Sequence, residues 1–260
     1  MAVPGPLWIG TSWKMNKGLA EARRYVRGLS EYVIGTDLPG VQPFVIPSFT
    51  ALAAARDELG ADSPVVLGAQ NAHWEDQGAW TGEVSVPQAK DAGAQLVEIG
   101  HSERREHFGE TVATTRLKVA AVLAHELVPL LCIGESAEVK GAGDSSRFIL
   151  EQAAGALDGL TDEQLGRVLI AYEPIWAIGE TGRPATVEEL QQPFADLGRE
   201  YGSRTRGLLY GGSVDLTNAE DLLGIDHVTG LFVGRAAWEL PGYVRLLEIA
   251  AAHPKASARS

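Results

Sequence analysis

Short apolar runs recur along the whole chain and alternate with longer stretches in which apolar residues return every three or four positions. The short runs hold four to six residues with little polar alternation, which is typical of parallel strands buried on both faces. They comprise residues 7–12, 43–47, 64–69, 95–99, 128–133, 167–172, 207–210 and 230–233. Eight such runs predict eight strands of one parallel sheet.

The stretches between the runs have the periodicity of amphipathic helices. They comprise residues 19–33, 51–59, 86–92, 114–125, 146–157, 187–201, 218–223 and 243–251. Thr186, with Glu188 and Glu189 after it, is a typical helix start. Strand–helix units in this succession predict an α/β protein, a closed (β/α)8 barrel. An open doubly wound sheet is the alternative, but such a sheet normally carries a glycine-rich nucleotide turn, and the sequence has no such motif.

We expect a single domain over residues 1–252, because no linker or low-complexity stretch divides the chain. Of the 260 residues, 45% are hydrophobic, which is enough for one large core. Residues 253–260 are expected to form a disordered tail.

Composition and charge narrow the classes of function. The formal net charge is −12 and no basic stripe is present, which argues against a nucleic-acid partner. No apolar run is long enough to span a membrane, and the first residues lack the segments of a signal peptide. Cys132 is the single cysteine, which excludes internal disulfides and fits a reducing compartment. We therefore expect a cytoplasmic protein with no membrane partner.

Chemically active side chains follow three of the predicted strands. Lys14 follows the first strand, His101 the fourth and Glu173 the sixth, and these ends meet at one face of a parallel barrel. Pro174 ends the sixth strand, because proline has no N–H for the sheet. The alternatives are an acidic strand end in solvent, a surface lysine lying on apolar neighbours and a structural histidine.

Glycine-rich turns follow the seventh and eighth strands. The segments 211–213 (Gly-Gly-Ser) and 234–235 (Gly-Arg) could offer backbone N–H groups to a phosphate, and these two loops form the usual phosphate site of such barrels. Ordinary tight turns are the alternative. Residues 176–184, with Gly179 and Gly182, could form a lid that excludes water from the site.

Together these groups suit proton abstraction next to a carbonyl, through an enediolate. Glu173 is the carboxylate placed to act as base. His101 precedes a predicted helix, whose N-terminus disfavours the imidazolium, so that a neutral ring can donate a hydrogen bond to a substrate oxygen. Lys14 would bring positive charge to an anionic substrate. We expect neither a metal nor a cofactor, since the sequence has no ligand cluster with metal spacing.

Seven motifs resemble those of triosephosphate isomerase and stand in the order of that family. They are residues 13–16 (Trp-Lys-Met-Asn), 68–71 (Gly-Ala-Gln-Asn), 81–85 (Thr-Gly-Glu-Val-Ser), 100–105 (Gly-His-Ser-Glu-Arg-Arg), 132–135 (Cys-Ile-Gly-Glu), 171–179 (Ala-Tyr-Glu-Pro-Ile-Trp-Ala-Ile-Gly) and 210–213 (Tyr-Gly-Gly-Ser). The resemblance implies an isomerase of short sugar phosphates, in the family known for a glutamate base paired with a neutral histidine. It makes Glu173 the base, His101 the electrophile and Lys14 the electrostatic anchor.

The resemblance also implies supporting roles. These are Glu103 and Arg104 beside the site and the dimer contact, Thr81 reaching into the partner subunit's site, Tyr210 and Ser213 holding the closed lid, and Glu135 holding Trp176. A homodimer built through the loop around Thr81 is therefore expected.

Three departures from the family pattern fall among the substrate and phosphate positions, which are Ser12, Gly179, Ser213, Gly234 and Arg235. Ser12 replaces an asparagine, which leaves room near the reacting carbons. The lid is one residue longer over 179–184, and could cover a longer substrate. Arg235 follows Gly234 where the family has a second glycine, and it could pair with phosphate or point outward.

This combination resembles a divergent branch of the family, the erythrulose-phosphate isomerases of tetritol catabolism. That branch interconverts L-erythrulose 1-phosphate and D-erythrulose 4-phosphate, and we expect the same reaction here. The first alternative is the glycolytic interconversion of dihydroxyacetone phosphate and D-glyceraldehyde 3-phosphate. The second is a barrel that binds a phosphometabolite without catalysis.

Overall fold

The computed structural model describes residues 5–179 and 182–258. In it, parallel strands form a closed barrel in sequence order, and the last strand pairs with the first. The strands are Leu7–Ser12 (β1), Val41–Ile46 (β2), Val66–Ala69 (β3), Leu96–Ile99 (β4), Val128–Ile133 (β5), Leu169–Tyr172 (β6), Gly207–Gly212 (β7) and Gly230–Val233 (β8). The prediction of a single-domain (β/α)8 barrel is confirmed.

Helices follow the strands and cover the outside of the barrel. They are Leu19–Gly35 (α1), Phe49–Leu59 (α2), Val86–Asp91 (α3), Ser102–His107 (α4), Val112–Ala124 (α5), Ala137–Gly141 (α6), Ser145–Leu157 (α7), Asp162–Leu165 (α8), Val187–Tyr201 (α9), Ala219–Gly224 (α10), Leu240–Ala252 (α11) and Pro254–Ser257 (α12). Short 3-10 helices cover Ile175–Ala177 and Arg235–Ala237. The capping expected before α9 is present, because the Thr186 side chain accepts a hydrogen bond from the Glu189 N–H.

The strands bury both faces, as their apolar runs require. Side chains such as Leu7, Ile9, Val97 and Ile170 point outward against the helices. The inward positions form a second cluster, which includes Trp8, Phe44, Ile46, Leu96, Leu130, Cys132, Leu169, Ala171, Leu209 and Phe232. Because side chains alternate along a strand, the position after Leu96 on the same inner face is Glu98. The inner face of β4 therefore carries a carboxyl group.

The end of the chain differs from the sequence expectation. Residues Pro254–Ser257 form a short helix instead of a disordered tail, and Ala256 is buried. Lys255 Nζ donates hydrogen bonds to the Ile225 and Val228 carbonyl oxygens, at 2.6 and 3.1 Å. Those contacts attach the segment to the loop before β8. Residues 259 and 260 lie outside the described part of the chain.

The helices do not have the dimensions of membrane spans. Within residues 5–179 and 182–258, no helix combines enough length and apolar character to cross a bilayer.

Candidate active site

A pocket of about 530 Å³ opens at the carboxyl ends of the strands. Most of the residues that the sequence pointed to line it: Ser12, Lys14, His101, Glu103, Glu173, Gly179, Ser213, Gly234 and Arg235. Residues that follow β1, β4, β6, β7 and β8 thus share one cavity with the lid. Its walls also include Phe232, Val214 and Trp238, which supply apolar surface.

Glu173 lies at the end of β6 with its side chain buried, 6% exposed. Its backbone N–H donates to the Ile133 carbonyl oxygen at 2.7 Å, which extends the sheet by one residue. Two glycines make room for it. A Cβ on Gly211 would lie 2.6 Å from Glu173 Cγ, and a Cβ on Gly134 would overlap the Glu173 carbonyl oxygen. Glu173 Oε2 makes no hydrogen bond among the described residues, so it is available to a substrate.

His101 precedes α4, and its ring caps that helix. His101 Nδ1 accepts a hydrogen bond from the Glu103 N–H at 3.2 Å, so in the neutral ring the proton is on Nε2. Nε2 faces Glu173 Oε2 at 3.8 Å, beyond hydrogen-bonding distance. The neutral ring therefore presents a donor to the pocket, next to the free carboxylate oxygen of Glu173.

The turn before His101 is fixed by two charged side chains. Gly100 has φ +77°, a conformation that favours glycine. Its N–H donates to Glu110 Oε1 at 2.8 Å, and its carbonyl oxygen accepts from Arg105 Nε at 2.7 Å. Glu110 is in turn held by Lys118 at 2.6 Å. These bonds determine the position from which His101 enters the pocket.

Lys14 follows β1 in a left-handed backbone conformation, with φ +52°. Its ammonium group forms an ion pair with Glu103 Oε1 at 2.6 Å, and Gln70 holds its carbonyl oxygen. Burial alone would lower the pKa of Lys14, but the hydrogen bond and charge of Glu103, with the charge of Glu173, raise it above its ordinary value. Lys14 is therefore a permanent positive charge at the pocket wall.

The glycine turns and the lid form another part of the pocket wall. Ser213 Oγ donates to the Ala177 carbonyl oxygen at 2.8 Å. Arg235 Nη2 donates to the Gly179 carbonyl oxygen at 3.3 Å, so this guanidinium reaches the first residue of the lid turn. The lid segment 179–184, which is expected to be one residue longer than in the family, includes Glu180 and Thr181, and these two residues lie outside the described part of the chain.

Glu135 is fully buried below the lid. Its Oε1 accepts hydrogen bonds from Trp176 Nε1 at 2.8 Å and from Tyr172 Oη at 3.1 Å. The pairing of Glu135 with Trp176 that the resemblance implied is thus present in this structure. It attaches the first residues of the lid to the end of β5.

Three more of the expected residues lie outside the pocket. Arg104 forms an ion pair with Glu110 at 3.1 Å, and so belongs to the support of the His101 turn. Tyr210 is buried in β7. Thr81 is exposed on the loop after β3, beside Trp80, which is 49% exposed. Within the single chain Thr81 is not part of the pocket lining.

Sequence reasoning missed Glu98, Glu110 and Lys118. Glu98 stands in a four-residue strand that is otherwise apolar, and that isolated charge was the available signal. Glu110 and Lys118 are eight positions apart and meet only because the chain folds back between α4 and α5. Trp238 was also missed as a contact of Ser12, whose carbonyl oxygen accepts from Trp238 Nε1 at 3.0 Å.

The fold and the pocket define a barrel enzyme in which a carboxylate, an imidazole and an ammonium group converge on one cavity. The family model of triosephosphate isomerase matches residues 7–250, and the chain belongs to that family. A crystal structure of triosephosphate isomerase from Bartonella henselae is 34% identical, superimposes with a TM-score of 0.81, and is matched over 93% of this chain and 98% of its own.

Two curated relatives are more similar in sequence. The chain is 82% identical over 252 residues to L-erythrulose-1-phosphate isomerase of Mycolicibacterium smegmatis, covering 97% of this chain and 96% of the relative. It is 48% identical over 244 residues to L-erythrulose-1-phosphate isomerase of Brucella abortus strain 9-941, and this match covers 92% of this chain and 94% of the relative. The predicted class of protein, an isomerase of sugar phosphates in this family, is confirmed.

Proposed function

We propose that this protein interconverts L-erythrulose 1-phosphate and D-erythrulose 4-phosphate. The observation that carries the proposal is the 82% identity with a protein of that activity by name, over nearly the whole chain. The pocket supports it, since Ser12 lines the cavity with a short side chain beside the catalytic groups. A ketose with one more hydroxymethyl group than a triose needs space at that end of the site.

In the proposed mechanism Glu173 removes the proton from C3, the hydroxyl-bearing carbon next to the carbonyl. Its Oε2 has no competing hydrogen bond among the described residues, and burial excludes the water that would otherwise solvate it. The electron pair of the broken C–H bond forms the C2–C3 double bond, and the carbonyl oxygen takes the negative charge. A cis-enediolate results.

His101 and Lys14 would stabilise that enediolate. His101 Nε2–H donates to its oxygens, since Nδ1 is already occupied by the Glu103 N–H. Lys14 supplies a positive charge, which its ion pair with Glu103 keeps in place. Glu173 then returns the proton to C2, while a proton moves from the C3 oxygen to the C2 oxygen. Atoms and charge balance, and the carbonyl group is displaced by one carbon.

The phosphate would bind between the two glycine turns and the lid. Gly212, Ser213, Gly234 and Arg235 line that side of the pocket, and Arg235 already contacts the lid at Gly179. Guanidinium and backbone N–H donors suit a phosphate dianion. Closing the lid over the substrate would exclude water and retain the enediolate long enough for reprotonation.

The test is an assay of the purified protein with L-erythrulose 1-phosphate and with D-glyceraldehyde 3-phosphate. We expect the four-carbon substrate to have the higher kcat/KM. Efficient triose turnover, with kcat/KM of about 10⁶–10⁸ M⁻¹s⁻¹, and negligible tetrose turnover would replace the proposal by the glycolytic reaction. Exchange of substrate hydrogen in deuterated water, followed by NMR, separates catalysis from binding alone.

We further propose a homodimer formed through the loop around Thr81. Exposed apolar side chains on the strand-end side of the chain support it. Met15 is 98% exposed next to Lys14, and Trp80 is half exposed beside His73, with ring centroids 4.4 Å apart. Aromatic residues and methionine are enriched in the cores of subunit contacts.

Light scattering after size exclusion tests the dimer. Trp80→Asp should shift the mass from two chains to one and reduce turnover. The matched control is Ile34→Asp, because Ile34 is 61% exposed at the end of α1, on the far side of the barrel. A monomeric wild-type protein with full activity would contradict the proposal.

A place in tetritol catabolism and a cytoplasmic location complete the proposal. The single cysteine, Cys132, is buried and free, which is compatible with a reducing compartment. Deleting the gene should abolish growth on a tetritol and leave growth on glucose. Loss of growth on glucose alone would contradict this role, and fractionation of the cells tests the location.

A further inference from the structure

A carboxyl group that the mechanism does not use lies on the inner face of the barrel. Glu98 follows Leu96 along the inward side of β4, and it is 4% exposed. Its Oε2 is buried and makes no hydrogen bond within the described residues. A buried carboxyl oxygen without a partner is costly. This cost, three positions before the pocket residue His101, points to a use for the carboxyl group.

The groups that face Glu98 come from several elements. Lys14 follows β1, His101 follows β4 itself, Cys132 lies on β5 and Glu173 ends β6, and each interacts electrostatically with the Glu98 carboxyl. Among its inward neighbours in the barrel, Ile46 of β2 and Leu130 of β5 are apolar. Glu98 is therefore close enough to these groups to interact with their charges, and it is out of contact with bulk water.

Ser12 connects Glu98 to the pocket. Ser12 stands four positions after the inward-facing Trp8 in β1, so it shares the inner face of the barrel with Glu98, and it also lines the pocket. Its hydroxyl is close enough to the Glu98 carboxyl to lower the pKa of that group. Ser12 Oγ is buried and has no hydrogen-bond partner among the described residues. Its backbone is held by Trp238 at 3.0 Å, so the hydroxyl can rotate while the residue stays in place. Two unpartnered polar groups thus lie next to each other at the end of the cavity where the extra hydroxymethyl group would fit.

We propose that Glu98 is a positioning residue that acts as a neutral acid, donates its proton to Ser12 Oγ and thereby turns the Ser12 hydroxyl toward a hydroxyl group of the substrate. This rests on the proposed reaction of a hydroxymethyl-bearing phosphoketose. When Glu98 is neutral, Ser12 accepts from it and its own proton is free for the substrate. When Glu98 is charged, the Ser12 proton turns to the carboxylate, and the pocket loses that donor.

Electrostatics favour the neutral form. Burial raises the pKa of Glu98 to about 7, and the carboxylate of Glu173 raises it further, while Ser12, Lys14 and, when it is protonated, His101 lower it. The substrate is a phosphate dianion that develops an enediolate charge. A charged Glu98 would add a third negative group below Glu173 and the substrate, so we infer that the neutral form is the competent one.

The test compares pH profiles of wild type and Glu98→Gln, with kcat/KM measured from pH 6 to 8. The amide keeps a donor and an acceptor at every pH. The ratio of wild-type to variant kcat/KM should fall about tenfold over this range, as expected for a required proton with a pKa near 7. Taking the ratio cancels the ionisation of the substrate phosphate, whose second pKa is about 6. Parallel profiles would overturn the role of Glu98.

Two further variants keep the outcome decisive. Ser12→Ala should remove the same pH step and lower the preference for the tetrose over the triose phosphate by about tenfold, because a hydroxyl contact is lost. Glu98→Leu should raise KM for the tetrose at every pH, and Glu98→Gln should restore it. A pH step that survives in Ser12→Ala would overturn the link through Ser12.

Failure of the proposed four-carbon reaction can be distinguished from failure of the proposed role of Glu98. If wild type turns over only the triose phosphate, the four-carbon assignment is wrong, and the same ratio of profiles is then measured on the triose. If that ratio is flat, the role of Glu98 is wrong as well. Turnover of neither substrate would overturn both.

Discussion

Replacing Glu98 with glutamine should stabilise the folded protein, and more so as the pH rises. The unfolded chain ionises Glu98 near its ordinary pKa of 4.5, whereas the folded protein does so only near 7. Between these values the unfolded state gains free energy from ionisation that the folded state does not. Wild-type stability therefore declines relative to Glu98→Gln from about pH 4.5 upward, and the difference levels off above about pH 7.

The magnitude follows from the two pKa values. The pKa rises from 4.5 to about 7 on folding, and since each pKa unit corresponds to about 1.4 kcal/mol, the full difference is about 3 kcal/mol. Glu98 is 4% exposed, so solvent screening does not reduce this figure much. Between pH 5 and pH 8 the advantage of the variant should grow by about 2–3 kcal/mol.

Urea denaturation of both proteins at pH 5 and pH 8 measures this change. The protein concentration is held constant, because the stability of a dimer depends on it. Glu31→Gln, at an exposed carboxyl of α1, is the matched control and should show no growth of the difference with pH. An equal effect of Glu98→Gln at both pH values would refute the reasoning, since a constant difference reports packing or hydrogen bonding only.

Three further predictions concern the proposed base, the ion pair that supports the His101 turn and the packing of the barrel. Glu173→Asp withdraws the carboxylate by about one carbon–carbon bond, and steady-state kinetics should show kcat lowered by at least about 100-fold with phosphate affinity retained. Lys118→Met leaves the buried Glu110 carboxylate with less charge compensation, and urea denaturation should show a loss of about 3 kcal/mol at pH 7. Tyr243→Phe removes the hydroxyl that accepts from the Phe44 N–H, and should cost about 1–3 kcal/mol of stability with kcat retained.

Each of these predictions has an outcome that would contradict it. Unchanged turnover in Glu173→Asp would remove that residue from the role of base. For the ion pair, burial alone would raise the pKa of Glu110, but Lys118 and Arg104 hold it below its usual range. The wild-type contribution is therefore present at neutral pH and lost as the pH falls through that lowered pKa, so a pH-independent effect of Lys118→Met would contradict the argument. If Tyr243→Phe lowered kcat as well as stability, the Tyr243 hydroxyl would also determine the shape of the pocket.

The regular elements are predictable because their signals are local. Strands 128–133 and 230–233 and the helix 187–201 have the predicted bounds, since apolar runs and capping residues define them directly. Helices of one turn, such as Ala137–Gly141 and Asp162–Leu165, are too short to show a helical period. The sequence predicts disorder for the segment that includes Pro254–Ser257, whereas the structure has a short helix there. The contacts that hold this helix join it to the loop before β8, and such long-range contacts give no local signal in the sequence.

Part of the site can be predicted from the sequence for a different reason. In a parallel barrel the strand ends converge, so Lys14, His101 and Glu173 can be grouped from their places after three apolar runs. The direction of a side chain within a fully apolar strand cannot be read, because both faces are buried and no alternation marks the inside. Glu98 therefore escapes prediction, although an isolated carboxylate in such a strand is unusual.

The two glycines beside Glu173 have a practical consequence for altering substrate range. Any side chain at position 134 or 211 would displace the carboxylate or its backbone, so a mutant library that includes those positions would consist mostly of inactive proteins. Ser12, in β1, and Trp238, after β8, also border the cavity, and neither of these strands pairs with β6, which ends at Glu173. Randomising these two positions would change the volume available to the sugar, so a selection for longer or shorter sugar phosphates should begin there.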